Sequence, residues 1–286
     1  MKLTIKWMML AILLFTVACS SNASSESEKA EQESNTQETN KETTSEDSKE
    51  KADEPGESEE TEDAQEEEEA VAEPAEAQYR LNEAFWGFEP INDSPAEAVL
   101  LTIDDAPDKN AVEMAKTLKE LEAPAIFFVN GHFIDTKEEK ARLKEIYDMG
   151  FEIGNHTMTH SDLKTLSEEE QREEIVKLND IIEEVIGERP TFFRAPFGSN
   201  TDFSKSLAEE EGMLVMNWTY GYDWEEQYQE EAAIADIMVN TPLLQNGANL
   251  LMHDRDWTAA GLEEIVKGLR GKGFEMINPE EIEPVQ

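Results

Sequence analysis

Val99-Leu100-Leu101-Thr102-Ile103, followed at once by Asp104-Asp105, is the stretch on which the fold of this 286-residue chain turns. Five apolar or β-branched residues without alternation read as a strand buried on both faces, as in a parallel sheet. A helical pattern follows at 110–122, then an apolar run at 125–129, a helix at 137–149 and a short strand at 151–154. Ser167-Glu168-Glu169-Glu170 opens a long helix with a cap and acids in its first turn, and Gly187 ends it. Further strands are predicted at 191–193, 213–218, 249–252 and 274–277, with helices at 204–211, 231–240 and 258–269. Alternating strands and helices of this kind predict an α/β domain with a parallel sheet, either an open doubly wound sheet or a barrel.

Outward from that body, the composition changes sharply. Residues 79–286 are read as the folded domain, and residues 20–78 as a disordered acidic linker. The linker holds 22 acidic residues against four lysines and no aromatic residue. Such a segment has too little apolar surface to offset its ordering entropy, and like charges extend it. Residues 1–19 read as an export signal: Lys2 and Lys6 precede an apolar run at 7–18, too short to span a bilayer comfortably. Thr16-Val17-Ala18-Cys19 resembles a bacterial lipobox, with Thr16 in place of the usual leucine, so Cys19 is expected to carry a lipid. As the single cysteine of the chain, it leaves no intramolecular disulfide, and core packing must hold the body together.

The net charge of −42 argues against nucleic acid as a partner and against electrostatic recruitment to an anionic membrane. Membrane contact is therefore expected only through the lipid anchor, on the outer face of the cell membrane, with the linker as a stalk. A monomer is the expected state.

The chemistry-bearing residues gather at strand ends. Asp104-Asp105 follows the first strand, His156 and His160 the strand at 151–154, and Arg194 the strand at 191–193. Asp223 comes shortly after 213–218, and His253 directly after 249–252. One such residue is an ordinary loop charge. Five converging strand ends predict a site, because parallel α/β folds build theirs at the C-terminal strand ends. His156 and His160 are two of only four histidines. Spacing of i, i+4 puts both on one face of a helical turn, where they can bind one cation. Two histidines and one carboxylate leave positions open for water and substrate, and the second acid of the pair stays free as a base.

Thr102-Ile103-Asp104-Asp105, His156-Thr157-Met158-Thr159-His160, Arg194-Ala195-Pro196-Phe197, Asp223-Trp224 and Leu251-Met252-His253 together resemble the five ordered motifs of the NodB-type polysaccharide deacetylases, carbohydrate esterase family 4. The likeness covers about residues 98–278. It implies a distorted (β/α) barrel, with fewer than eight strands, and a metal-dependent hydrolase that removes N-acetyl groups from a cell-wall-type polysaccharide. By that resemblance Asp105, His156 and His160 hold the metal, zinc first, with cobalt or nickel as alternates. Asp104 is then the base, His253 the acid, Arg194 the fixer of the carboxylates, and Asp223 the group that orients His253 or Arg194. A backbone amide near Phe197 serves the oxyanion, Leu251 lines the acetyl pocket, and Trp224 walls the groove.

The chain departs from the family pattern at three places. Tyr220 stands where an acid is frequent, Phe197 where tyrosine is frequent, and Ala106 where glycine is common. Trp218 is read as a core strand residue and His132 as a solvated loop histidine, with Trp218 or Trp257 as alternatives for stacking on sugar. An O-acetyl xylan esterase and a non-catalytic polysaccharide-binding lipoprotein stay open as alternatives, as does N-acetylmuramic acid against N-acetylglucosamine.

Overall fold

The computed structural model describes residues 76–285. The expected signal at 1–19, its Cys19, and the acidic linker up to residue 75 lie outside the described residues. Among the described residues, hydrogen bonding into the body begins at Gln78, whose backbone N–H donates to the Glu281 carbonyl at 2.7 Å.

The chain first forms an antiparallel hairpin, β1 (Tyr79–Asn82) and β2 (Gly87–Pro90), where the sequence reading has no element. Four-residue strands carry too little alternation to read. There follow β3 (Ala98–Ala106), α1 (Ala111–Glu120), β4 (Ile126–Val129), α2 (Lys137–Asp148), β5 (Glu152–Asn155) and α3 (Glu168–Ile186). The second half runs β6 (Phe192–Phe193), α4 (Asp202–Glu210), β7 (Leu214–Val215), α5 (Glu231–Asn240), β8 (Ala248–His253), α6 (Asp256–Gly271) and β9 (Glu275–Met276).

β3 to β9 form one parallel sheet of seven strands, ordered β7-β6-β5-β4-β3-β8, with β9 paired to the start of β3. The sheet curls. After β7 the chain crosses to the opposite edge, where Tyr220 pairs in parallel with Leu250 of β8. This is the distorted barrel with fewer than eight strands that the resemblance implies.

Strand pleat sorts the core into two layers. Ala98 and Leu100 of β3 face inward with Ile126, Phe128, Phe192 and Met216, and the hairpin plugs this inner cluster with Tyr79 and Phe88. Val99, Leu101 and Ile103 face outward against Met114 and Leu118 of α1 and Leu262 of α6. Each large apolar side chain so buried contributes roughly 1.5–3 kcal/mol. The hairpin sits so close to the barrel floor that a Cβ on Gly247 (φ +74°) would lie 1.7 Å from the Phe88 carbonyl oxygen. Only glycine fits there.

The strand expected at 213–218 is shorter, because only Leu214 and Val215 keep ladder pairing. Beyond them the Asn217 carbonyl turns inward to accept from Arg194 and Asn249 side chains. α3 begins and ends as read: Ser167 and Glu170 close a capping box, and Gly187 adopts the left-handed conformation.

Candidate active site

The site grows from the end of β3. Strand parity sends Thr102 and Asp104 into the barrel and would turn Asp105 outward toward the helices. Pairing with β4 slips between Ile103 and Ala106, and Asp105 takes a left-handed φ of 59°. This bulge rotates Asp105 back, so both carboxylates line the same cleft. A second acid directly after the first is useful only because the backbone breaks its alternation here.

The two histidines reach the cleft differently from expectation. Residues 156–160 form a loop rather than a helical turn, with Thr157 and His160 at positive φ of 69° and 59°. α3 and the buried asparagines dictate that path. The Asn155 side chain donates to the Ile175 carbonyl at 2.8 Å and accepts from the Thr157 N–H at 2.9 Å. The Glu174 carboxylate accepts from the Thr159 N–H and hydroxyl at 2.8 and 2.6 Å. These bonds satisfy the loop backbone locally, which removes the need for helix. None of these holding residues stood out in the sequence, because Asn and Glu on a helix or loop are ordinary there.

β6 delivers Arg194, which is fully buried. Its guanidinium donates to Asp104 Oδ1 at 2.6 Å, to the Thr102 hydroxyl at 2.8 Å and to the Asn217 carbonyl at 2.9 Å. Below it lies the Phe128 ring, 4.2 Å from the guanidinium carbon. Phe128 needs the space that Gly154 leaves: a Cβ there would come within 2.5 Å of the ring. The Arg194 carbonyl accepts from His156 Nδ1 at 2.6 Å, which fixes the tautomer and turns Nε2 toward the carboxylates. One residue thus orients both an acid and an imidazole.

On the facing strand, His253 Nδ1 bonds Asp223 Oδ1 at 2.7 Å, and its backbone N–H donates to Asp223 Oδ2 at 2.6 Å. Asp223 is held in turn by the Thr258 hydroxyl at 2.8 Å, while its carbonyl accepts from Trp257 Nε1 at 2.8 Å. Of the two partners expected for Asp223, the structure brings it His253; Arg194 bonds Asp104 instead. Trp257 therefore serves as a hydrogen-bond donor behind the site. Next in sequence, buried Asp254 accepts from the backbone N–H groups of Lys109, Asn110 and Ala111 at 2.9, 2.6 and 2.9 Å. It caps α1 from a distant part of the chain, where Asn110 itself makes no side-chain cap.

Electrostatics separate the two kinds of histidine. Burial pushes His156 and His160 below the usual imidazole value, despite the opposing pull of Asp104 and Asp105. Burial also disfavours charge on His253, but its hydrogen bond to Asp223 and the nearby carboxylates outweigh that and raise it. For Asp105, burial pushes upward; the positive charge of His253 and Arg255, joined by His156 and His160 whenever those are protonated, wins and holds it low. A low carboxylate and two neutral imidazoles form a donor set that suits a divalent cation. One ligand atom from each of Asp105, His156 and His160 lies within 4.8 Å of the others. The chemistry of these donors fits a metal.

The cleft encloses about 400 Å³ and is lined by the two acids, His156, His160, His253 and Leu251, with Phe197, Trp218, Trp224 and Arg255 around them. Phe197 is 67% and Trp224 49% exposed, unusual for rings of that size. Phe197 leans edge-on against His160 and Trp224 against His253, so an aromatic side chain stands at each flank. Trp218 belongs to this lining and not to the core, because the chain leaves the sheet after Val215. His132 is exposed on its loop. Arg255, which the sequence reading passed over, donates to Asp105 Oδ2 at 2.7 Å. No periodicity or spacing marks it; it is a single charge after a strand.

Fold and site together define an α/β barrel with a carboxylate–histidine site at its C-terminal strand ends. The profile of the polysaccharide deacetylase family matches residues 91–216. A peptidoglycan-N-acetylglucosamine deacetylase of Bacillus cereus is 32% identical over 194 residues, covering 64% of this chain and 70% of that protein. The peptidoglycan-N-acetylmuramic acid deacetylase PdaC of Bacillus subtilis is 30% identical over 197 residues, which span 68% of this chain but only 40% of that protein. The crystal structure of a CE4 family pseudoenzyme from Bacillus anthracis superposes with a TM-score of 0.59 at 29% identity, covering 65% of this chain and 66% of that one. The chain belongs to the polysaccharide deacetylases of carbohydrate esterase family 4.

Proposed function

We propose that this protein is an N-deacetylase of cell-wall polysaccharide, acting on N-acetylglucosamine units of peptidoglycan or of chitin-like oligomers. The observation that carries the reading is the convergence in one cleft of the Asp105-His156-His160 cluster, Asp104, and His253, which sits next to Asp104 on the adjacent strand with Asp223 bonded behind it. Asp105, His156 and His160 would hold a divalent cation, which would supply Lewis acidity and lower the pKa of a water in the cleft. Asp104 Oδ1 is occupied by Arg194, which leaves Oδ2, 3.5 Å from His156 Nε2, to accept the proton of the attacking water. The backbone N–H of Phe197 is assigned to the developing oxyanion. His253 holds a proton at Nε2, with Asp223 on Nδ1, and gives it to the departing amine. Leu251 lines the acetyl pocket, and the faces of Phe197, Trp218 and Trp224 pack against sugar rings.

Action on a wall polymer requires export, which is the role read into residues 1–19 with Cys19 as the lipid-bearing residue. The relatives named for peptidoglycan support the substrate class, and the complete acid, base and ligand set favours turnover over mere binding.

The test is acetate release from N-acetylglucosamine oligomers and peptidoglycan, with zinc, with chelator, and with Asp104→Asn. Release that needs metal and falls by about 10³-fold or more in the variant supports the proposal. Release from acetyl-xylan alone would move the reading to an O-acetyl esterase. Folded, metal-loaded protein that releases acetate from none of these polymers would overturn it in favour of a binding protein.

A further inference from the structure

The two adjacent carboxylates divide their oxygens in the same way. Asp104 gives Oδ1 to an arginine, Arg194, and leaves Oδ2 3.5 Å from His156 Nε2. Asp105 gives Oδ2 to an arginine, Arg255, and leaves Oδ1 3.5 Å from His160 Nε2. The first arginine is sealed in the barrel; the second has a side chain 38% exposed at the cleft rim. For Asp105 the Arg255 bond is the one side-chain hydrogen bond among the described residues that orients its carboxylate.

Arg255 is also well anchored for such a task. It is the residue before α6, its N–H donates to the His253 carbonyl at 2.8 Å, and its Nη1 donates to the Asp254 carbonyl at 3.2 Å. The Asp254 N–H in turn donates to the Asp104 carbonyl at 3.1 Å. The backbone that carries Arg255 is therefore tied by hydrogen bonds to the strand end that carries Asp105.

From this we infer that Arg255 is a positioning residue for the metal site: it holds Asp105 Oδ2 so that Oδ1 alone is presented to the cation alongside His156 and His160. The inference rests on the metal-site reading above. An outer-shell partner of this kind sets ligand orientation, and its loss typically weakens metal binding by about 10–100-fold. The opposite sign is what simple charge repulsion would give, since removing a cation beside a cation tightens binding.

Competition with a chromophoric chelator measures zinc affinity of the full-length protein, its Arg255→Ala and Arg255→Lys variants, and Asp105→Asn as the control. Thermal melting of the metal-free proteins reports folding, which the rim position of Arg255 leaves intact. The expected result is zinc binding weakened by at least about 10-fold in Arg255→Ala and partly restored in Arg255→Lys. Unchanged or tighter binding in a folded Arg255→Ala overturns the inference while leaving the metal site standing. Wild-type protein that binds zinc no better than Asp105→Asn overturns the metal-site reading itself.

Discussion

The barrel carries acidic clusters at both ends, and they behave in opposite ways. At the C-terminal strand ends, Asp104 and Asp105 lie within a few ångströms of two arginines and three histidines, and Asp105 is held low. At the other end, Glu152, Glu188 and Glu280 line a cavity of about 300 Å³ walled by Ile153, Phe192 and Ile282. Burial, then repulsion from Glu188 and Glu280, pushes Glu152 up to about 7. Arg189 borders that cavity but bonds Asp180, Glu183 and Glu211 instead. Glu188 is taken by the Tyr147 hydroxyl. Cations that face it hold a buried carboxylate such as Asp105 in its charged form. Without them, the same residues answer burial by keeping a proton.

The largest effect should come from breaking the paired end. Arg194→Leu leaves Asp104 buried without its partner, and the expected loss is about 3–5 kcal/mol of stability, read by urea denaturation. If the loss is under about 1 kcal/mol, the ion pair is not what offsets the burial of Asp104.

Asp223→Asn probes the same end more gently. It removes the main groups that raise His253, so the proton is lost at lower pH. Activity that needs protonated His253 falls as pH rises through its pKa. The alkaline limb of kcat/KM should therefore move to lower pH, with the maximum down about 10²-fold. An alkaline limb that stays in place would remove His253 from the acid role.

Asp254→Ala removes the remote cap of α1 and leaves three N–H groups at the helix start without their acceptor. The expected cost is about 2 kcal/mol in chemical denaturation, with Asp254→Asn recovering part of it.

The smallest effect belongs to the unpaired end. Glu152 in the folded protein titrates near 7, above its usual 4.5. Between those values the native carboxyl holds a proton that the unfolded chain has released, so wild-type stability falls as pH rises across this window. Glu152→Gln abolishes that slope. Discounting for partial solvent access, it should be more stable than wild type by about 1–2 kcal/mol at pH 8, with the advantage gone near pH 4. Parallel pH profiles for the two proteins would show instead that Glu152 reaches solvent freely.

Much of this architecture was legible in the chain. Apolar strands and amphipathic helices marked β3 to β9 to within a residue or two, except at β7 and at the end of β3, which runs three residues further to Ala106, and polar residues following those strands marked one end of the sheet. Five features were not legible. The hairpin is too short to show a period. The loop that carries His156 and His160 owes its path to Asn155 and Glu174, partners 15 or more residues away from the groups they hold in several cases. Asp254 caps a helix 143–145 residues earlier in the chain. Arg255 acts on a carboxylate 150 residues before it. Trp218 reads as a core residue because an apolar run gives no sign of where its ladder ends.

The sequence by itself determined the layering of helices on a parallel sheet and the choice of which residues meet at its C-terminal end. Both follow from local periodicity and from the direction of the strands. Only the tertiary structure decided which partner each of those residues has: Asp104 with Arg194, Asp105 with Arg255, His253 with Asp223. A hydrogen bond depends on ångströms and angles set by barrel curvature, a bulge at Asp105 and left-handed turns at Thr157 and His160. Those are products of the whole packed chain, and no local pattern encodes them.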